Sequence, residues 1–151
     1  MTKAKDGAEN GRRERFIYLL SIAQRRVQAA IQDESDGATA ARGGLLMALS
    51  PETGTPMAQL GQVLDLGAPA LSGLIDRTAR AGLIERRPDP ADGRAWIIML
   101  TPEGMTARTD AISGARTMND RLCDGFDDQE LAIVARWLDA VREKFPKENG
   151  K

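Results

Sequence analysis

From Arg12 the chain stops being uniformly polar, and Phe16, Leu20, Ala23, Val27 and Ala30 recur at alternating four- and three-residue steps with Arg13, Arg25, Arg26 and Gln28 between them. That period predicts an amphipathic helix ending near Asp33. A second helix is expected over about Ala38 to Leu49, with Leu45, Leu46 and Leu49 apolar and Gly43 and Gly44 weakening it. Thr55 and Pro56 read as an N-cap and first helical residue, opening a short helix with Met57, Leu60, Val63 and Leu64 on one face. "DLGAP" interrupts it. Pro69 can start another, with Leu71, Leu74 and Ile75 inward, Ser72, Asp76, Arg77 and Arg80 outward, and Gly82 as its stop.

Two short helices joined by a glycine-bearing turn form a helix-turn-helix, although that pattern alone fits any pair of packed helices equally well. The next segment separates the two readings. Ile84 to Arg87 leads in, Pro88 to Gly93 makes a turn with the strong Asp92-Gly93 signal, and Arg94 to Leu100 leads out, with Trp96, Ile98 and Leu100 on one core face. A helix-turn-helix followed at once by a hairpin is a winged helix. Thr101 and Pro102 then cap and open a helix to about Cys123, with Met105, Ile112, Ala115 and Leu122 as a thin apolar stripe. Asp127 and Glu130 form a capping box, flanked by Phe126 and Leu131 as a hydrophobic staple. Beyond them Leu131, Val134, Leu138, Val141 and Phe145 build one apolar face, with Trp137 beside it.

The fold class read from these elements is mainly α with a small β-hairpin wing: a winged helix-turn-helix at about 38–101, flanked by terminal helices at about 12–33 and 102–145. Residues 1–11 and 146–151 are read as tails, the first disordered by its charge and glycine content. The simplest use for the apolar stripes of the first and last helices is each other's surfaces in a dimer; the alternative is that they cover the monomer's own core.

Composition narrows the function classes. A net charge of -1 means that any nucleic-acid surface must come from local placement of arginines and not from bulk charge. There is no histidine, so the usual zinc ligand sets and the Ser-His-Asp and Cys-His pairings are absent, as are the GxxxxGK[ST] and GxGxxG phosphate loops. No enzyme activity and no cofactor or metal are expected. The single Cys123 has no intramolecular disulfide partner. No apolar run approaches the roughly 18 residues needed to span a bilayer, and Met1 to Arg15 is polar, so a cytoplasmic protein without membrane attachment is expected.

The run "LSGLIDRTARAGLIERRPDPADGRAWIIMLTPEG", Leu71 to Gly104, resembles the MarR family of bacterial transcriptional regulators, which are winged-helix homodimers. The resemblance lies in the recognition helix, the Gly-Leu turn at Gly82 and Leu83, the Asp-x-Arg wing at Asp92 and Arg94, and the Leu-Thr-x-x-Gly exit at Leu100, Thr101 and Gly104. The looser helical layout extends it over about Arg12 to Phe145. It implies a ligand-responsive homodimeric repressor on double-stranded DNA. Its effector would be a small ligand, often an aromatic or phenolic anion, bound between the dimerisation helices and the winged helix. By the same resemblance Ser72 and Arg77 are major-groove candidates, Arg80 a phosphate contact, Arg94 the minor-groove residue, and Arg86 or Arg87 a support for the wing or a phosphate contact. Asp92 would orient an arginine by a bidentate ion pair. A guanidinium on a proline-stiffened turn suits a narrow, electronegative minor groove.

The sequence departs from the family pattern inside the recognition helix. Ala68 and Ala70 cannot hydrogen-bond through their side chains, Gly73 replaces an often basic residue, and Thr78 stands where leucine is usual. Sparse base readout follows, with specificity leaning on Arg77, the wing arginine and DNA shape. A winged-helix protein interaction module that does not bind DNA is the alternative these residues raise. Thiol-sensing members of the family carry a cysteine near the start of the first long helix, where this chain has none, so no redox role is expected of Cys123.

Overall fold

A computed structural model describes residues 15–34 and 40–146, with the side chains of residues 33 and 34 excepted. The tail at 1–11, the first turn expected at 12–14, residues 38–39 and the end of the C-terminal tail lie outside these ranges. The elements are α1 (Phe16–Glu34), α2 (Ala40–Ala48), β1 (Thr55–Pro56), α3 (Met57–Val63), α4 (Ala68–Arg80), β2 (Ile84–Pro88), β3 (Trp96–Leu100), α5 (Pro102–Cys123) and α6 (Asp128–Lys144). They fall into two compact units divided between Ala40 and Ala41. The first contains α1, whose Ser21 hydroxyl donates to the Ile17 carbonyl one turn back at 2.8 Å.

The second unit is built on one apolar cluster. Leu45, Leu46 and Leu49 from α2 meet Leu60 of α3, Leu71, Leu74 and Ile75 of α4, and Ile84 and Ile98 of the strands. Each such burial contributes about 1.5–3 kcal/mol, so the cluster holds the helix-turn-helix and the base of the hairpin as one body. The sheet is antiparallel in the order β1-β3-β2, with Ile84 opposite Leu100 and Pro88 opposite Trp96.

Three local expectations are corrected. Thr55 and Pro56 do not cap α3; they form β1, opposite Ile98 and Ile97. The Thr55 hydroxyl instead accepts the Ser50 amide at 2.9 Å and closes the loop after α2, and Pro56 stays extended at φ -57° and ψ 138° with no side-chain cap. Val63 and Trp96 are exposed, at 61% and 47%. Trp96 sits at the wing end of β3, past the reach of the helices, whereas Ile98 is fully buried. On α5 the expected stripe holds only in its middle: Ile112 and Ala115 are half-buried, but Met105 and Leu122 are exposed, and the inward seam runs through buried Gly104 and Met118 and half-buried Ala107 and Ala111. Small side chains let backbones approach, and an ideal Cβ on Gly43 of α2 would lie 3.7 Å from that of Ala111.

The helix starts expected at Thr101 and Asp127 hold. Thr101 Oγ1 accepts the Gly104 amide at 3.0 Å, and Asp127 Oδ1 accepts the Gln129 and Glu130 amides while Glu130 Oε2 accepts the Asp127 amide. Gly82 ends α4 at φ +74°, a left-handed conformation that favours glycine. Thr101 also donates its hydroxyl to the Gly82 carbonyl at 2.7 Å, and its amide donates to the Leu83 carbonyl at 3.1 Å. The end of α4, the base of the wing and the start of α5 thus meet at one point. A Cβ on Gly104 would stand 1.9 Å from the Leu83 carbonyl oxygen. Gly104→Ala is therefore expected to lower stability by at least about 2 kcal/mol in urea denaturation; a midpoint equal to that of the unmodified protein would contradict this packing.

Candidate nucleic-acid interface

The outward face of α4 follows from its inward one. Leu71, Leu74, Ile75 and Thr78 are buried, which turns Ala70, Gly73, Arg77 and Arg80 onto the opposite stripe at helical spacing. Thr78, buried where an apolar side chain is expected, satisfies its hydroxyl by donating to the Leu74 carbonyl at 2.8 Å. Ser72 is half-buried at the edge of this face, and Arg77 and Arg80 are exposed. Gly67 precedes the helix without a side-chain cap, and Pro69 in the first turn removes one of the unmatched amides.

The hairpin brings a second set of arginines beside the first. Arg86 on β2 pairs with Asp76 on α4, Nη2 to Oδ1 at 2.5 Å, and Arg80 Nε donates to the Asp76 carbonyl at 3.3 Å. Asp76, Ala79, Arg80 and Arg86 line a shallow depression between helix and strand. Arg86 thus fastens the wing to the recognition helix. Arg87 pairs with Glu85, two residues away on the same strand face. Sequence reasoning missed the role of Asp76, which it placed only as an outward residue; the signal was the turn at Gly82, which folds position 86 back beside position 76.

At the tip, Asp89 Oδ1 accepts the Ala91 amide at 2.8 Å and Asp92 Oδ1 accepts the Arg94 amide at 3.0 Å. Two backbone bonds, Asp89 N to Ala95 O at 3.0 Å and Ala95 N to Asp92 O at 2.8 Å, close the loop. The bidentate ion pair expected of Asp92 does not form: its carboxylate holds the turn through backbone, a geometry that short Asp side chains favour in turns. Arg94 stands exposed on that closed turn. Around these elements Arg77, Arg80, Arg86, Arg87 and Arg94 face Asp76, Glu85, Asp89 and Asp92. The carboxylates are bonded to arginines or to amides of the same segment, and Arg77, Arg80 and Arg94 have no ion-pair partner among the described residues.

Among the described residues there is no group of side chains suited to hold a metal, and no helix is long and apolar enough to cross a membrane. Cys123 is an exposed free thiol at the end of α5.

A two-helix motif with its second helix exposed, followed by a hairpin tied to that helix, defines a winged helix-turn-helix protein. Residues 36–95, from before α2 through the wing tip, match the model of the MarR family. The uncharacterised HTH-type transcriptional regulator YsmB of Bacillus subtilis (strain 168) is 30% identical over 82 residues, which are 54% of this chain and 56% of that protein. The match therefore spans just over half the length of that relative. A probable transcriptional regulator from Pseudomonas aeruginosa has a TM-score of 0.74 at 28% identity, covering 83% of this chain and 96% of that one. The Staphylococcus aureus MepR–DNA complex has a TM-score of 0.79 at 20% identity, covering 86% and 98%. Over these residues the winged helix of this chain is similar to the MarR family, the likeness that the Leu71 to Gly104 run implied.

Asp92→Ala removes one turn-closing bond from an exposed loop. It is expected to change global stability by no more than about 1 kcal/mol while the Arg94 amide exchanges faster with solvent deuterium. Unchanged exchange at Arg94 would show that the carboxylate does not hold the tip.

Proposed function

We propose that this protein is a sequence-specific, DNA-binding transcriptional regulator that acts as a homodimer and represses until a small ligand releases it. The observation that carries this reading is the pairing of two exposed cationic elements on one winged helix: Arg77 and Arg80 on the outer face of α4, and Arg94 on a turn closed by its own backbone. Guanidinium groups suit both jobs, since they bind phosphate or guanine as a fork and are drawn to a narrow minor groove. The likeness in fold to a protein solved on DNA, and the match of residues 36–95 to a family of regulators, support it.

The terminal helices support the dimer. On α1, Ile17 is 84% and Tyr18 60% exposed; on the C-terminal side, Phe126, Ile133, Val134, Leu138 and Phe145 are exposed, and α6 has no buried residue. Exposed apolar surface of this kind marks a site of protein association. A two-fold dimer that reads DNA must hold its two copies of α4 about one DNA turn apart, roughly 34 Å, and pairing through the terminal helices is the arrangement we propose for it. The ligand response implied by the family resemblance acts through that spacing: an effector that binds better to a dimer with displaced recognition helices lowers DNA affinity by its difference in affinity for the two states.

With Arg86 and Arg87 held in ion pairs, three arginines per subunit, six per dimer, remain for phosphate and groove contacts. Affinity for fragments selected from pooled genomic DNA is then expected to fall by about three powers of ten between roughly 50 and 200 mM salt. Arg94→Ala is expected to weaken that binding by about tenfold while leaving a folded dimer. Absence of fragment-selective binding at the lower salt would contradict the proposal and favour an interaction module whose partner is another protein.

A further inference from the structure

Gly73 is half-buried on the outward stripe of α4, in the middle of a helix, where glycine is less stable than alanine. Nothing in the backbone requires it there, because Gly73 is not among the glycines of positive φ. The space above it is occupied, however: an ideal Cβ on Gly73 would lie 3.2 Å from Nη1 of Arg77, one turn further on. Side chains in a helix lean toward its N-terminus, so a residue covers the surface of the turn before its own Cα. Arg77 obeys this and lays its guanidinium over the position that Gly73 leaves bare.

That placement has a consequence for reading DNA. The residues of a recognition helix that reach base edges lie in its N-terminal half, where the outward side of this helix offers Ala68, Ala70 and Gly73, none with a side chain able to hydrogen-bond, and only the short hydroxyl of half-buried Ser72 at its edge. An arginine drawn back along the helix brings its fork into that half.

We propose that Gly73 is a specificity-determining residue: it leaves the recess over which Arg77 lies, so that the Arg77 guanidinium reaches the O6 and N7 atoms of one guanine from a bed on the helix backbone. The inference rests on the DNA-binding reading above. In free protein the contact with an added methyl group is relieved cheaply, because the atom that must move is the far end of a flexible side chain. Once a base fixes the guanidinium, that freedom is gone and the same methyl group is felt as lost affinity.

The test uses the full chain and a DNA fragment that the unmodified protein selects from its pooled genome. Gly73→Ala, Arg77→Ala and the double variant are compared by fluorescence anisotropy on that fragment, on the same fragment with 7-deazaguanine replacing each guanine in turn, and on an unrelated duplex. Gly73→Ala is expected to raise the urea midpoint yet weaken binding to the selected fragment by about tenfold, the size of a lost bidentate base contact, with little change on the unrelated duplex. The loss is expected to vanish when Arg77 is already alanine. One 7-deazaguanine position is expected to weaken the unmodified protein but not the Arg77→Ala variant. If Gly73→Ala binds the selected fragment as tightly as the unmodified protein, or loses as much affinity without Arg77 as with it, the inference is overturned while the regulator reading stands. If the unmodified protein selects no fragment, the regulator reading fails and this inference falls with it.

Discussion

The Leu83 carbonyl is the point on which the winged helix closes. It accepts the Thr101 amide at 3.1 Å, and it lies so close to the backbone of α5 that residue 104 must lack a side chain. Thr101 completes the joint, donating its hydroxyl to the Gly82 carbonyl and accepting the Gly104 amide. Three elements therefore share one junction: the end of the recognition helix, the base of the wing and the start of the long helix. A Gly-Leu turn and a Leu-Thr-x-x-Gly exit, separated by the whole hairpin in sequence, are two halves of this junction. Through it, the end of α4 is tied to the start of α5.

Electrostatics at the candidate interface works by disposition more than by quantity. Five arginines and four carboxylates nearly cancel, in keeping with a chain whose net charge is -1. What differs is where each sign is held. Asp89 and Asp92 accept backbone amides within the turn, and Asp76 and Glu85 are occupied by Arg86 and Arg87. Arg94 stands exposed at the tip, and the Arg77 guanidinium lies along the outer face of α4 over Gly73. Exposed ion pairs such as Arg86–Asp76 contribute little stability, about 0–1 kcal/mol, so this pair matters for where it holds the wing and less for how tightly the protein folds.

Much of this architecture was legible in the residues, and the failures share a cause. Local chemistry read well: Asp127 with Glu130, and Thr101 before Pro102, are caps whose partners lie within three residues. Thr55 before Pro56 has the same local appearance, yet β3 captures it as an edge strand, a choice made by a partner more than forty positions away. Periodicity located α5 and the middle of its seam at Ile112 and Ala115 but not its ends, because Gly104, Ala107 and Ala111 are too small to stand out as apolar, while Met105 and Leu122 stand out and face solvent. Trp96 shows the same limit, its exposure being set by how far the wing projects. At the interface the outward residues of α4 and the hairpin were recognisable from spacing. The pairing of Asp76 with Arg86 and the backbone role of Asp92 depend on the fold of the turn and were not.

The central claim is that two copies of one winged helix, joined through their terminal helices, present α4 and the wing to DNA together. A hydroxyl-radical footprint of the purified protein on a genomic fragment it selects tests this most directly. The account predicts two protected segments related by two-fold symmetry, with their centres about one helical turn, roughly 10 base pairs, apart, each flanked by minor-groove protection that disappears with Arg94→Ala. A single protected segment, or protection that does not respond to Arg94, would contradict it.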